Sequence, residues 1–281
     1  WSAARGFLKP ALNRPNLKLI ANALVDKVTF DGERATGVEI IIAGERRTLK
    51  ARRDVILSAG AVATPAILER SGVGSGEALQ RIGVEVRRES PGVGENLQDH
   101  LQLRAIFKVE GARTMNGDYK SLLKRARMGL DYALFRRGPL TMAPSQLGAF
   151  TRTSSEFATP NVQFHIQPLS LDKFGDPLHP FDAFTVSVCN LRPESRGAIH
   201  ARSANASDAP KIDPHYLSAQ RDREVAADSI LLARKIVAQP ALAKYRPEEY
   251  KPGVEISSRE DLMRAAGDIG TTIFHPVGTA K

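Results

Sequence analysis

Six histidines are the side chains here whose ordinary pKa, about 6.5, lets them exchange protons near neutral pH. Two of them stand among residues that point to chemistry. His275 lies in TTIFHPVGTAK (271–281), just ahead of Pro276 and Gly278, which make the backbone stiff and close-fitting. Two readings stand: a proton acceptor presented on a rigid turn, or a histidine that hydrogen-bonds within that turn. His165 lies in NVQFHIQP, where alternation puts Val162, Phe164 and Ile166 on one strand face and Gln163, His165 and Gln167 on the other. Three hydrogen-bonding side chains in a row suit a pocket lining or a solvent-facing side better than a packed core. His100, in NLQDH, reads as a structural hydrogen-bonding residue. His179, His200 and His215 read as surface or turn residues.

The totals set the frame for these residues. The chain has 281 residues, 42% hydrophobic and 25% charged, enough for one large domain or two ordinary ones. No apolar run reaches the length of a bilayer span. The opening WSAARGFLKP has neither Met nor the apolar centre of a signal peptide, and the chain stops abruptly, so a piece of a longer chain is expected. The single cysteine, Cys189, excludes a disulfide framework and CxxC metal sites; a reducing, cytoplasmic setting is the expectation. The net charge of +9 is spread along the sequence, and aromatics are 6%, with no zinc-finger spacing or aromatic RNA-binding run. That pattern argues against nucleic acid as a partner. The basic stripe Lys120, Lys124 and Arg127 fits a solvated helix face or contact with acidic lipid, so membrane association is open but not indicated.

The elements that must position these residues form a mixed α/β pattern without internal repeats. NLKLIANALVDKVTFD reads as two short strands, and ATGVEIIIAGERRTLKARRDVILSAG as three more. Asp31-Gly32 and Gly44 mark hairpin turns. TPAILERSG reads as a helix with Pro65 in its first turn and Gly72 beyond its end. After Leu103 come a strand in LRAIFKVEG and one helix over YKSLLKRARMGLDYALFRRG, closed by Gly138-Pro139. FTVSVCNL and GAIHARS read as strands, and AQRDREVAADSILLARKIVAQ as a long amphipathic helix. SGVGSG (71–76) follows a helix instead of opening one, so its glycines suit a C-cap and turn better than a dinucleotide fingerprint. No GxxxxGK, HExxH or GxSxG occurs.

Four segments together resemble one family. SAGAVATPAILERSGVG (58–74), PGVGENLQDHL (91–101), LRPESRGAIHARSANASDAPKIDPHYLS (191–218) and HPVGTAK resemble, in order and spacing, the glucose–methanol–choline (GMC) FAD-dependent oxidoreductases. The resemblance implies a partial FAD-binding domain over 1–103, without its dinucleotide glycine loop. A substrate domain, with a mostly antiparallel sheet and flanking helices, follows over 104–265. Residues 266–281 would begin the return to the FAD domain.

The resemblance also implies oxidation of a primary or secondary alcohol, with hydride passing to FAD and His275 taking the hydroxyl proton. A second active-site His or Asn would follow the end of this chain. His165 matches a strand position that lines the substrate pocket in choline-oxidising relatives. Gln146, in SQLGAF, stands where many relatives carry a Glu; a neutral amide there implies an uncharged alcohol. Phe274 reads as a pocket wall or as core packing. Val25 matches a position whose backbone meets the adenine, and Ala59 and Gly60 match small residues that let the chain approach FAD; plain strand packing is the alternative for all three. The electron acceptor (oxygen, quinone or other) stays open. So do two other readings: a lyase of hydroxynitrile type on the same scaffold, and a catalytically inert fragment.

Overall fold

The computed structural model describes residues 2–143, 145–173 and 175–281. The chain divides into two compact units, residues 1–96 with 199–212 and 278–281, and residues 97–198 with 213–277. These bounds differ from the expected 103 and 265 for a physical reason. Residues 101–108 form one continuous strand in the second unit's sheet, and 270–272 pair onto that strand.

In the first unit, β1 (Leu24–Asp31), β2 (Arg34–Ile42) and β3 (Glu45–Lys50) form an antiparallel meander. The first hairpin turns at Gly32-Glu33, one residue later than the expected Asp31-Gly32, because Asp31 is still paired with Arg34 in the ladder; Gly32 takes φ 55°. Ala43 and Gly44, at φ 51° and 84°, turn the second, as a primed two-residue turn requires. The strands expected within 16–20 and 54–58 do not form. A buried-type apolar run needs ladder partners, and among the described residues 54–58 has none; Ile56 is 84% exposed.

Helix α1 (Gly60–Arg70) follows, with Gly72 at φ 83° ending it as expected. Pro65 lies inside this helix and not in its first turn. Proline removes the N–H that would bond the carbonyl of Ala61, four residues back. The Thr279 hydroxyl donates to that carbonyl instead, at 2.6 Å.

The second unit is built on a six-stranded antiparallel sheet. Its strands are β4 (Leu101–Lys108), β5 (Leu147–Thr151), β6 (Val162–Gln167), β7 (Ala183–Asn190), β8 (Glu248–Lys251) and β9 (Gly270–Thr272). The order is β8-β4-β7-β6-β5, and β9 shares the outer edge of β4 with β8. The single helix expected over 119–138 is broken at Ser121. There Met115–Lys120 stops and α2 (Leu122–Phe135) begins, with the Ser121 hydroxyl capping the N–H of Lys124. That helix closes at Arg136, in left-handed conformation (φ 51°), ahead of Gly138. Among the described residues no helix is long and apolar enough to cross a membrane.

The sheet's two faces differ. Leu103, Ala105 and Phe107 of β4, Val162 and Phe164 of β6, and Val186 and Val188 of β7 pack on one side. They meet α3 (Gln220–Val237) and α4 (Arg259–Ile269) through Val225, Ile230, Ala233 and Leu262. Each of the fully buried Val, Leu, Ile and Phe side chains contributes roughly 1.5–3 kcal/mol. The opposite face is polar although buried: Gln102 and Arg104 of β4, Thr185 and Ser187 of β7, and Gln167 of β6 are all nearly sealed from solvent. Cross-strand register puts Arg104, Ser187, His165 and Gly148 in one row.

Candidate active site

The second unit gathers three of its histidines, and the backbone around His275 is fixed from several sides. Residues 273–277 arch over 98–100. Val277 exchanges two hydrogen bonds with Gln98, both 2.9 Å, and the N–H of Ile273 donates to the His100 carbonyl at 3.4 Å. At the apex, the N–H of His275 donates to Asp99 Oδ1 at 2.9 Å. Thr272 Oγ1 donates to Asp99 Oδ2 at 2.6 Å and accepts the N–H of Phe274 at 2.9 Å. The Tyr216 hydroxyl donates to the same carboxylate. Burial, with the Asp99 carboxylate beside it, raises the Tyr216 phenol well above its usual range, so it stays a donor. Phe274 occupies a left-handed conformation, φ 62°, a non-glycine strain that these bonds hold in place.

Around this turn the imidazoles converge. His275 Nδ1 lies 3.3 Å from His100 Nδ1, with the rings edge to face, centroids 5.4 Å apart. His100 Nε2 lies 3.3 Å from the Leu191 carbonyl oxygen. His165 sits on the polar sheet face, its pKa lowered first by burial and then by the charges of His275 and His100. Its Nε2 is buried without a hydrogen-bond partner among the described residues. His275 itself is exposed. The arrangement offers one open imidazole on a rigid turn, with a neutral imidazole behind it.

The other positions expected at the substrate site divide. Phe274 is 71% exposed, so it is not core. Gln146 is exposed at the entry to β5, its N–H donating to the Ile166 carbonyl at 3.0 Å. It borders a cleft with Arg113, Asp118, Lys124 and Asp131, in which neither His275 nor His165 stands. Asp99, Tyr216 and Thr272 were not singled out from sequence. The adjacent Asp99-His100 pair in NLQDH was the available signal.

In the first unit, Val25 lies on β1 opposite Ile40, and its carbonyl accepts from Arg70 at 3.3 Å. It borders a groove with Gly37, Val38, Val55 and Ile56. Ala59 is the N-cap of α1, with no side-chain hydrogen bond to the helix, and Gly60 takes φ 76°. Nothing lies within 4 Å of where a Gly60 Cβ would stand. An exposed helix start with no side-chain cap and open space at Gly60 leaves backbone N–H groups available to an anionic group, which fits a phosphate of a dinucleotide.

Two expectations for the remaining groups change. His200 is not a surface residue: Nδ1 meets Glu69 at 2.6 Å and Nε2 meets Glu95 at 3.0 Å, and these carboxylates raise its pKa. The His179 ring is largely buried and stacks on Phe181. His215, largely exposed at φ 48°, is the turn residue expected. Burial pushes the Cys189 thiol up to about 11, making it an inert strand residue. Among the described residues no cluster of three His, Cys, Asp or Glu could hold a metal ion.

Family models described as GMC oxidoreductase match residues 1–102 and 193–281. An oxygen-dependent choline dehydrogenase of Pectobacterium atrosepticum is 37% identical over 282 residues, spanning 100% of this chain and 50% of that protein. An alcohol dehydrogenase (acceptor) of Pseudomonas putida is 37% identical over 284 residues, spanning 100% of this chain and 51% of that one. The crystal structure of pyridoxine 4-oxidase from Mesorbium loti superposes with a TM-score of 0.81 at 25% identity, over 99% of this chain and 50% of that one. The chain thus spans about half the length of the curated relatives it matches. With the two models covering most of the sequence and the histidine turn in place, this chain belongs to the GMC oxidoreductase family.

Proposed function

We propose that this chain serves an FAD-dependent oxidation of an uncharged primary or secondary alcohol to its carbonyl. His275 takes the hydroxyl proton as the carbon–hydrogen bond gives up its electron pair. The observation that carries this reading is the Asp99-anchored turn, which presents an open imidazole on a strained backbone. Bound FAD would supply the oxidant that accepts the hydride. Val25, Ala59 and Gly60 are the residues here that would meet it, through a strand backbone and an open helix start.

His165 stays neutral beside the base and offers a hydrogen-bonding ring to the substrate oxygen. The carboxylate at the cluster, Asp99, is buried and already accepts from Tyr216, Thr272 and the His275 N–H, so its oxygens are not open to direct contact with a cationic head group. That supports a neutral alcohol over choline; Gln146 borders a different cleft and does not bear on this choice. Phe274 supplies an exposed apolar wall beside the base. Localisation in a reducing, cytoplasmic compartment is part of the proposal.

The test is anaerobic mixing of the flavin-loaded holoenzyme with simple alcohols. Flavin bleaching that is lost in His275→Ala is expected. Product release with the flavin left oxidised would instead favour a lyase, and choline outcompeting every neutral alcohol would overturn the substrate class.

A further inference from the structure

We propose that His100 is a positioning residue that fixes the tautomer of His275, keeping the proton on Nδ1 and the lone pair on Nε2. This deepens the reading of His275 as base and rests on it. The argument is an accounting of donors and acceptors. His100 Nε2 lies 3.3 Å from the Leu191 carbonyl oxygen. A carbonyl oxygen only accepts, so this nitrogen carries a proton. In the neutral ring, His100 Nδ1 is then bare, and it faces His275 Nδ1 at 3.3 Å. Two bare nitrogens at that distance would set lone pair against lone pair, so His275 Nδ1 must be the donor. Neutral His275 then keeps its lone pair on Nε2, the atom free to take a proton. The other tautomer would protonate Nε2 and leave nothing there to accept with.

Other groups nearby do not supply this bond. Asp99 holds the backbone N–H of His275, and its carboxylate is shared with Tyr216 and Thr272. His165 Nε2 has no hydrogen-bond partner among the described residues. His100 contacts the turn twice, through its ring and through its carbonyl, which accepts from Ile273. When His275 Nε2 gains a proton, the ring becomes a cation with Nδ1–H still donated to His100. The relay ends on the Leu191 carbonyl, and no proton leaves His100.

The test reads the tautomer directly. The chain is labelled with nitrogen-15 in its histidines, and long-range proton–nitrogen correlations are recorded above the imidazole pKa. In the native chain, His275 should show a protonated-type Nδ1 and a bare-type Nε2. His100→Leu should shift His275 toward the Nε2-protonated form. His100→Asn, whose side-chain oxygen replaces the Nδ1 acceptor, should restore the native pattern. A protonated Nε2 on native His275, or no change in His100→Leu, overturns the proposal. In the flavin-loaded holoenzyme, His100→Leu should slow flavin reduction by alcohol about tenfold, and His100→Asn should recover most of that loss. If His275→Ala reduces its flavin at the native rate, the base assignment fails while the tautomer result stands on its own.

Discussion

The backbone N–H of His275 donates to the carboxylate of Asp99, 176 positions earlier, at 2.9 Å. One side chain thereby fixes the turn that presents the imidazole, and also collects the hydroxyls of Thr272 and Tyr216.

Removing that carboxylate should loosen the turn more than the unit. Asp99→Ala leaves three donors without their charged acceptor, each such bond being worth about 1.5–3 kcal/mol. Amide hydrogen exchange at Phe274 and His275 should speed up by at least about tenfold, while amides of β7 stay protected. Unchanged exchange at His275 would show that the turn is held by something else.

The His200 clamp predicts a pH-dependent stability of definite sign. Its pKa is raised, first by the hydrogen bond to Glu69, so the folded protein holds this proton more tightly than the unfolded chain. The contribution is fully present below the unfolded value of about 6.5, and is lost as pH rises through the raised folded value. The stability difference between native protein and His200→Asn should therefore be largest in mild acid and shrink toward alkaline pH. Urea titrations across that range check it, and a difference that grows with pH contradicts the clamp.

Pro65 and Thr279 should be coupled. Thr279→Val leaves the Ala61 carbonyl without its donor and should cost about 1 kcal/mol. In a Pro65→Ala background the restored N–H can serve that carbonyl, so the same substitution should cost much less. A double-mutant cycle by chemical denaturation measures the difference. Equal costs in both backgrounds would separate the two residues.

Much of the second unit was legible because its signals are local. The alternation in NVQFHIQP sets Val162 and Phe164 into the core and His165 on the other face, as β6 shows. The 3.6-residue period of 220–237 likewise appears as α3. Legibility failed where a partner decides. DVILSAG reads as a strand, yet a strand exists only through its neighbours, and 54–58 has none among the described residues. His200 reads as a surface residue because neither Glu69 nor Glu95 is near it in sequence.

By itself, the sequence determined the residue types, the periodicities and the motifs from which the family could be suspected, with His275 as the candidate base. Those are properties of short stretches, carried by spacing and side-chain chemistry. The tertiary structure decided that Asp99 anchors the turn and that His100 and His165 stand with His275. It also decided that Gln146 borders a different cleft. Those relations join residues tens to hundreds of positions apart, and only sheet register and loop closure bring them within hydrogen-bond reach.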